Sequence, residues 1–119
     1  MVGYGNSREK RVEVGYIYII ADEEGYIKVG VSSSPEKRMK QLQTGHASRL
    51  RLIYSEEFRC SRKHLLRVEN MVHGEIGNVY KRYSGEWFKV DEEELEEVKR
   101  IVIWSRIRYE QDELYFEYR

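Results

Sequence analysis

Apolar and polar positions fall into short blocks along the chain, and each block carries its own period. Val14–Ile20 (VGYIYII) is dense in β-branched and aromatic residues and predicts a strand. The polar stretch Ala21–Gly25 (ADEEG) ends in glycine and predicts a turn, and Tyr26–Val31 (YIKVGV) predicts a second strand, so the two form a hairpin. With Ala21–Gly25 as the loop, Ile20 pairs with Tyr26, and Tyr18 faces Lys28 on one side of the sheet. A slip of one residue would put the two on opposite sides. Ser34 then suits an N-cap and Pro35 a first helical position. The predicted helix runs Pro35–Gln43 and stops near Gly45, with Met39 and Leu42 as its apolar contacts.

Arg49–Phe58 predicts a third strand. Ser61–Ile76 predicts a helix, because Leu65, Val68 or Glu69, Val72 and Ile76 recur at helical spacing. Glu86–Val90 (EWFKV) is a short extended piece. Asp91 caps a further helix, Glu94 completes a capping box, and Leu95, Val98, Ile101 and Val102 form its apolar stripe. Beyond Ser105 the chain either continues that helix or adds an edge strand at Leu114–Tyr118. The sum is an α+β domain: a small three-stranded antiparallel sheet flanked by helices, with a C-terminal helix. Residues 1–13 read as a flexible arm, 14–104 as the domain and 105–119 as a C-terminal extension.

Composition narrows the class. A chain of 119 residues suits one domain. No apolar run approaches the roughly 18–20 residues of a membrane span, and the N-terminus lacks the apolar core of a secretory signal. Cys60 is the only cysteine, so an internal disulfide is excluded and a thiolate zinc site lacks ligands. These features predict a reducing, intracellular (cytoplasmic) location. Net charge is zero, but its distribution is uneven. Lys28–Gly85 holds 12 Lys+Arg against 5 Asp+Glu, whereas Glu86–Arg119 holds 6 against 11. A basic middle with an acidic tail is what a polyanion-binding face with a solvated back looks like; a surface coated with both signs looks the same.

Phosphodiester hydrolysis needs a water to lose a proton, a cation for the phosphate charge, usually a metal, and a grip on the flanking backbone. Tyr18 beside Lys28 answers the first need, because a neighbouring ammonium favours the phenolate. Arg38, in the first turn of its helix, can hold a phosphate through two hydrogen bonds. Glu69 and His73, four apart, share a helix face and can hold a divalent cation together, or the carboxylate can do so alone with waters. A lone carboxylate suits one Mg²⁺ or Mn²⁺. Lys37 lies beside Arg38, and Tyr80-Lys81-Arg82-Tyr83 interleaves aromatic and basic residues as a backbone grip would. Trp87 and Phe88 suit either base stacking or the core. Each feature also has a plain structural reading: a packed strand tyrosine, surface cations, and a surface Glu–His pair.

Taken in order, Tyr16-Ile17-Tyr18-Ile19-Ile20, Ile27-Lys28-Val29-Gly30, Ser34-Pro35-Glu36-Lys37-Arg38, the Glu69…His73 helix and Gly85-Glu86-Trp87-Phe88 resemble the GIY-YIG nuclease superfamily. The pattern looks most like its phage-type DNA-binding branch, grouped with meiotically up-regulated proteins. The resemblance implies a three-stranded antiparallel sheet with flanking helices and DNA cleavage with a single divalent metal. It implies that Tyr18 activates the nucleophile, that Arg38 meets the phosphate, that Glu69 binds the metal and that Gly30 allows close backbone approach. Three positions depart from the pattern. Tyr16 stands where the first motif has glycine, Lys28 where the second has tyrosine, and Val29 where it has isoleucine. Lys28 can stand in for the second tyrosine by polarising Tyr18 or water. The expectation is thus a DNA endonuclease acting alone, as a homodimer or with a protein partner that supplies specificity. The alternatives are a DNA-binding module without turnover, or a protein-interaction domain using Tyr109, Tyr115, Phe116 and Tyr118.

Overall fold

The computed structural model describes residues 13–84 and 86–117, with the side chains of 83, 84 and 112–117 outside that description. The arm expected at residues 1–13, apart from Glu13, therefore lies outside the described residues. So do Gly85, Tyr118 and the side chains of Tyr83, Tyr115 and Phe116. Along the chain run β1 (Glu13–Ala21), β2 (Tyr26–Ser32), α1 (Pro35–Thr44), β3 (Arg51–Cys60), α2 (Arg62–Gly77), β4 (Arg82–Ser84), β5 (Trp87–Lys89), a 3₁₀ turn (Glu92–Glu94) and α3 (Leu95–Glu117). The strands form one antiparallel sheet in the order β3-β1-β2-β5-β4. The small sheet with flanking helices is as the pattern predicts. Two three-residue strands, β5 and β4, extend it beyond the three long ones.

β1 reads as an unbroken apolar run because both of its faces are covered, the circumstance in which strands lose polar alternation. Ile17, Ile19 and Ala21, with Ile27 and Val29 of β2, face the main core under α2 and α3, where Val72, Ile76, Val98 and Val102 are fully buried. Tyr18 and Ile20 face the other way, into a smaller cluster with Leu50, Leu52 and Trp87. The contacts expected of α1, Met39 and Leu42, close that cluster.

The hairpin register differs from expectation by two residues: Ile20 pairs with Lys28, and Tyr18 with Gly30. The cause is Asp22. Its carboxylate accepts from Glu24 N (2.8 Å) and Tyr26 N (3.0 Å), and its own N–H donates to Tyr26 O (2.9 Å). This side-chain-closed turn, completed by Gly25 at φ 90°, sits later in the chain than the loop expected at Ala21–Gly25. A shift of two preserves the face, so Tyr18 and Lys28 stay on one side but are diagonal, not opposite.

The helix ends are set by local chemistry. Ser34 stands at the N-cap of α1, but its hydroxyl makes no capping bond; its N–H donates to Ser32 Oγ at 2.9 Å. Gly45 follows α1 at φ −103°, outside the left-handed region. Ser61 caps α2 by accepting from His64 N at 3.2 Å. The Asp91–Glu94 capping box is present and opens the 3₁₀ turn before α3. α3 runs unbroken through residue 105 to Glu117, so of the two conformations expected for the tail it takes the helical one. No helix among the described residues is long and apolar enough to cross a membrane.

Candidate functional site

The site follows from the shortness of β5. That strand pairs with β2 only at Tyr26, Ile27 and Lys28, ending where Lys28 meets Trp87. At the next residue of β2 the Val29 carbonyl is taken by His73 Nε2 of α2 at 2.6 Å. A carbonyl can only accept, so Nε2 carries a proton, and in the neutral ring Nδ1 keeps its lone pair. Glu69 lies one helical turn before His73, and both are buried, at 8% exposure each. The reading of these two as a surface pair is therefore excluded.

Groups from the other face of the sheet reach the same edge. Tyr18 lies across from Gly30, and a methyl built on Gly30 would overlap the phenol oxygen and the ring carbon that bears it. The close approach expected of Gly30 is thus made to a side chain of its own fold. Arg38, on the first turn of α1, brings its positive charge to the Tyr18 phenol and donates to Gln41 Oε1 at 3.3 Å. Lys28 Nζ donates to Glu86 Oε2 at 2.7 Å and stands 5.9 Å from the centre of the Trp87 ring. Ligand-type atoms of Glu69, His73 and Glu86 all lie within 4.8 Å of one another.

The electrostatics separate these groups. Burial raises the Tyr18 phenol above its ordinary value, and Glu86 and Glu69 push the same way, outweighing the Arg38 hydrogen bond and charge. This corrects the expectation that Lys28 would ease deprotonation of Tyr18. The Lys28 ammonium is committed to Glu86, and the cation on the phenol is Arg38. Burial raises Glu69, as does the nearby Glu86 charge, against His73, Lys28 and Arg62. Glu86 also sits in a site that would raise it, but the Lys28 hydrogen bond and charge, helped by His73 and Arg38, hold it below the ordinary carboxylate range.

Tyr18, Lys28, Arg38, Glu69 and His73 are therefore brought together, with Gly30 packed against Tyr18. Lys37 is exposed beside Arg38 on α1. Lys81 and Arg82 are exposed near β4, with the Arg82 guanidinium 5.3 Å from the centre of the Phe88 ring. Among the described residues, no hydrogen bond or ion pair joins those two to the cluster. Phe88 is fully buried, so of its two expected roles it takes the core one.

Sequence reasoning missed Glu86 and Arg62. The signal for Glu86 was its place directly before Trp87-Phe88, unused because the pairing of β5 with β2, which sets Glu86 beside Lys28, was not foreseen. It also missed the pairing of His46 Nε2 with Asp22 Oδ2 at 3.0 Å, under which the His46 ring stacks on Trp87 at 4.8 Å between centres. An open groove of about 380 Å³ runs past these residues, Tyr26 and Ser48.

Two carboxylates and an imidazole with one available nitrogen are a donor set that a divalent cation fits. Cations, a phenol and this donor set meet at one sheet edge of a small α+β domain. The chain belongs to the T5orf172 domain family, whose model matches residues 15–103. This is a phage-associated, DNA-related family. No curated protein and no solved structure matches the chain.

Proposed function

We propose that the domain is a DNA endonuclease of GIY-YIG type, hydrolysing phosphodiester bonds with one divalent ion. The observation that supports this most is the convergence of Tyr18 from β1, Lys28 from β2, Arg38 from α1 and Glu69 from α2 on one sheet edge. Arg38 is exposed and presents a planar pair of N–H donors to a phosphate. The neutral Tyr18 hydroxyl orients the attacking water, which gives up its proton to solvent, and Arg38 beside it stabilises the negative charge that develops. The water oxygen forms one P–O bond, the bond to the sugar oxygen breaks, and that oxygen takes up a proton from solvent. Lys28 adds positive charge next to the developing phosphorane. Glu69 would hold the ion, Mg²⁺ or Mn²⁺, which when bound neutralises charge on the phosphate and the leaving oxygen. Lys37, Lys81 and Arg82 grip the flanking backbone, so binding weakens steeply with salt. One domain carries one such centre, so cutting both strands requires a second copy or a partner.

One observation favours a second reading, DNA binding without turnover. Lys28, at the place of the motif's second tyrosine, is tied to Glu86 and does not reach Tyr18 in the resting protein. Nicking of supercoiled plasmid with Mg²⁺ or Mn²⁺ decides between the two. The nuclease reading expects metal-dependent nicking that vanishes in Glu69→Ala. Salt-sensitive binding with no nicking in either metal supports the second.

A further inference from the structure

Glu69 is buried, at 8% exposure. A carboxylate in a buried setting is favoured by positive charge beside it. The atoms that face it within 4.8 Å are those of His73 and Glu86. Val29 O holds the His73 Nε2–H, the kind of partner that fixes a ligand imidazole's tautomer, and leaves Nδ1 as the nitrogen able to take an ion. Glu86 is reached at 2.7 Å by Lys28, whose side chain is only 10% exposed. The lysine ammonium thus supplies, in the resting protein, positive charge that a cation would otherwise bring.

We propose that Glu69, His73 and Glu86 form a three-ligand site that favours Mn²⁺ and similar transition-metal ions over Mg²⁺, with Lys28 as a built-in competitor that gives up Glu86 when the ion binds. The chemistry follows from the donors. Mg²⁺ keeps its waters and prefers oxygen, whereas an imidazole nitrogen raises affinity for later first-row ions. Two carboxylates balance a divalent charge, and the departing Lys28 ammonium becomes available to the phosphate side of the site. The proposal deepens the endonuclease reading by naming the ligands, but it does not need cleavage to be true.

The test is Mn²⁺ binding without DNA, followed by loss of the free-ion paramagnetic resonance signal, with folding of each variant checked by circular dichroism. Loss of a second-shell group typically costs 10–100-fold in metal affinity, so Glu86→Gln and His73→Asn should each weaken Mn²⁺ binding by at least about tenfold. Lys28→Gln should tighten it, and ¹⁴N modulation of the bound-Mn²⁺ spectrum should disappear in His73→Asn. Glu86 is 44% exposed, so its variant remains informative if the buried His73 variant folds poorly. Affinity unchanged in Glu86→Gln, or not raised in Lys28→Gln, overturns the proposal. Three-ligand binding in a protein that nicks no DNA would sink the nuclease reading alone. Nicking with Mn²⁺ affinity indifferent to Glu86 would sink this proposal alone.

Discussion

Gly30→Ala tests how the site is packed. The Gly30 backbone is unstrained, since positive φ is confined to Gly25 among the described residues. Adding a methyl to glycine at a compatible position normally stabilises by about 0.4–1 kcal/mol through the unfolded chain. Here the methyl would run into the Tyr18 phenol. That ring is 1% exposed and packed in the cluster with Ile20 and Leu50, so it cannot swing clear as a surface side chain would. Overpacking of this kind costs about 1–3 kcal/mol, which exceeds the entropic gain, so the net change is a loss. The assay is urea denaturation of Gly30→Ala in two backgrounds, wild type and Tyr18→Leu. Leucine lacks the outer half of the ring, so there the substitution should be neutral or mildly stabilising, leaving a coupling of about 1–3 kcal/mol. Equal cost in both backgrounds would refute the steric account. Plasmid nicking should fall in Gly30→Ala in step with displacement of the phenol.

Two further outcomes concern the hairpin turn. Burial would raise Asp22, but hydrogen bonds from Tyr26, His46 and Glu24 outweigh it and hold the carboxyl below its ordinary value of 3.8. A depressed folded-state value contributes stability that is complete above the ordinary value and is lost as pH falls through the folded one. Asp22→Asn should therefore lower the urea midpoint at neutral pH and flatten its fall in acid; an acid limb as steep as wild type would contradict this. Gly25→Ala forces a Cβ into the left-handed region and should cost about 1–2 kcal/mol, with Gly25→Asn milder, as read from the same denaturation curves. Equal stability of wild type and Gly25→Ala would mean the turn relaxes to another shape.

The parts of the fold that were legible in the sequence are those where burial and local chemistry agree. The two-sided apolar run of β1, the stripe Leu65–Val68–Val72–Ile76 and the Asp91–Glu94 box each announce one structure. The hairpin register was not legible from strand patterns, because it is fixed by which backbone N–H groups the Asp22 carboxylate captures. β4 was missed because Arg82–Ser84 has little apolar character of its own and exists as a partner of β5. Tyr18, Arg38 and Glu69 were legible as candidates through motif order. The electrostatics of the cluster were not, because the pairing of Lys28 with Glu86 spans 58 residues and rests on the docking of β5 against β2. His46 and Asp22 gave no spacing signal, since their meeting depends on the loop after α1 folding back onto the hairpin turn.

The central claim is that Tyr18 acts on the nucleophile and is not a packing residue alone. Tyr18→Phe keeps the ring and removes the oxygen, so the most direct measurement is its plasmid-nicking rate beside its DNA affinity at fixed salt. Loss of a group that positions the reacting water can cost about 10²-fold, so nicking should fall by about 10² while affinity stays within about twofold. Nicking at the wild-type rate in a folded Tyr18→Phe variant would contradict the account and leave Tyr18 a core residue.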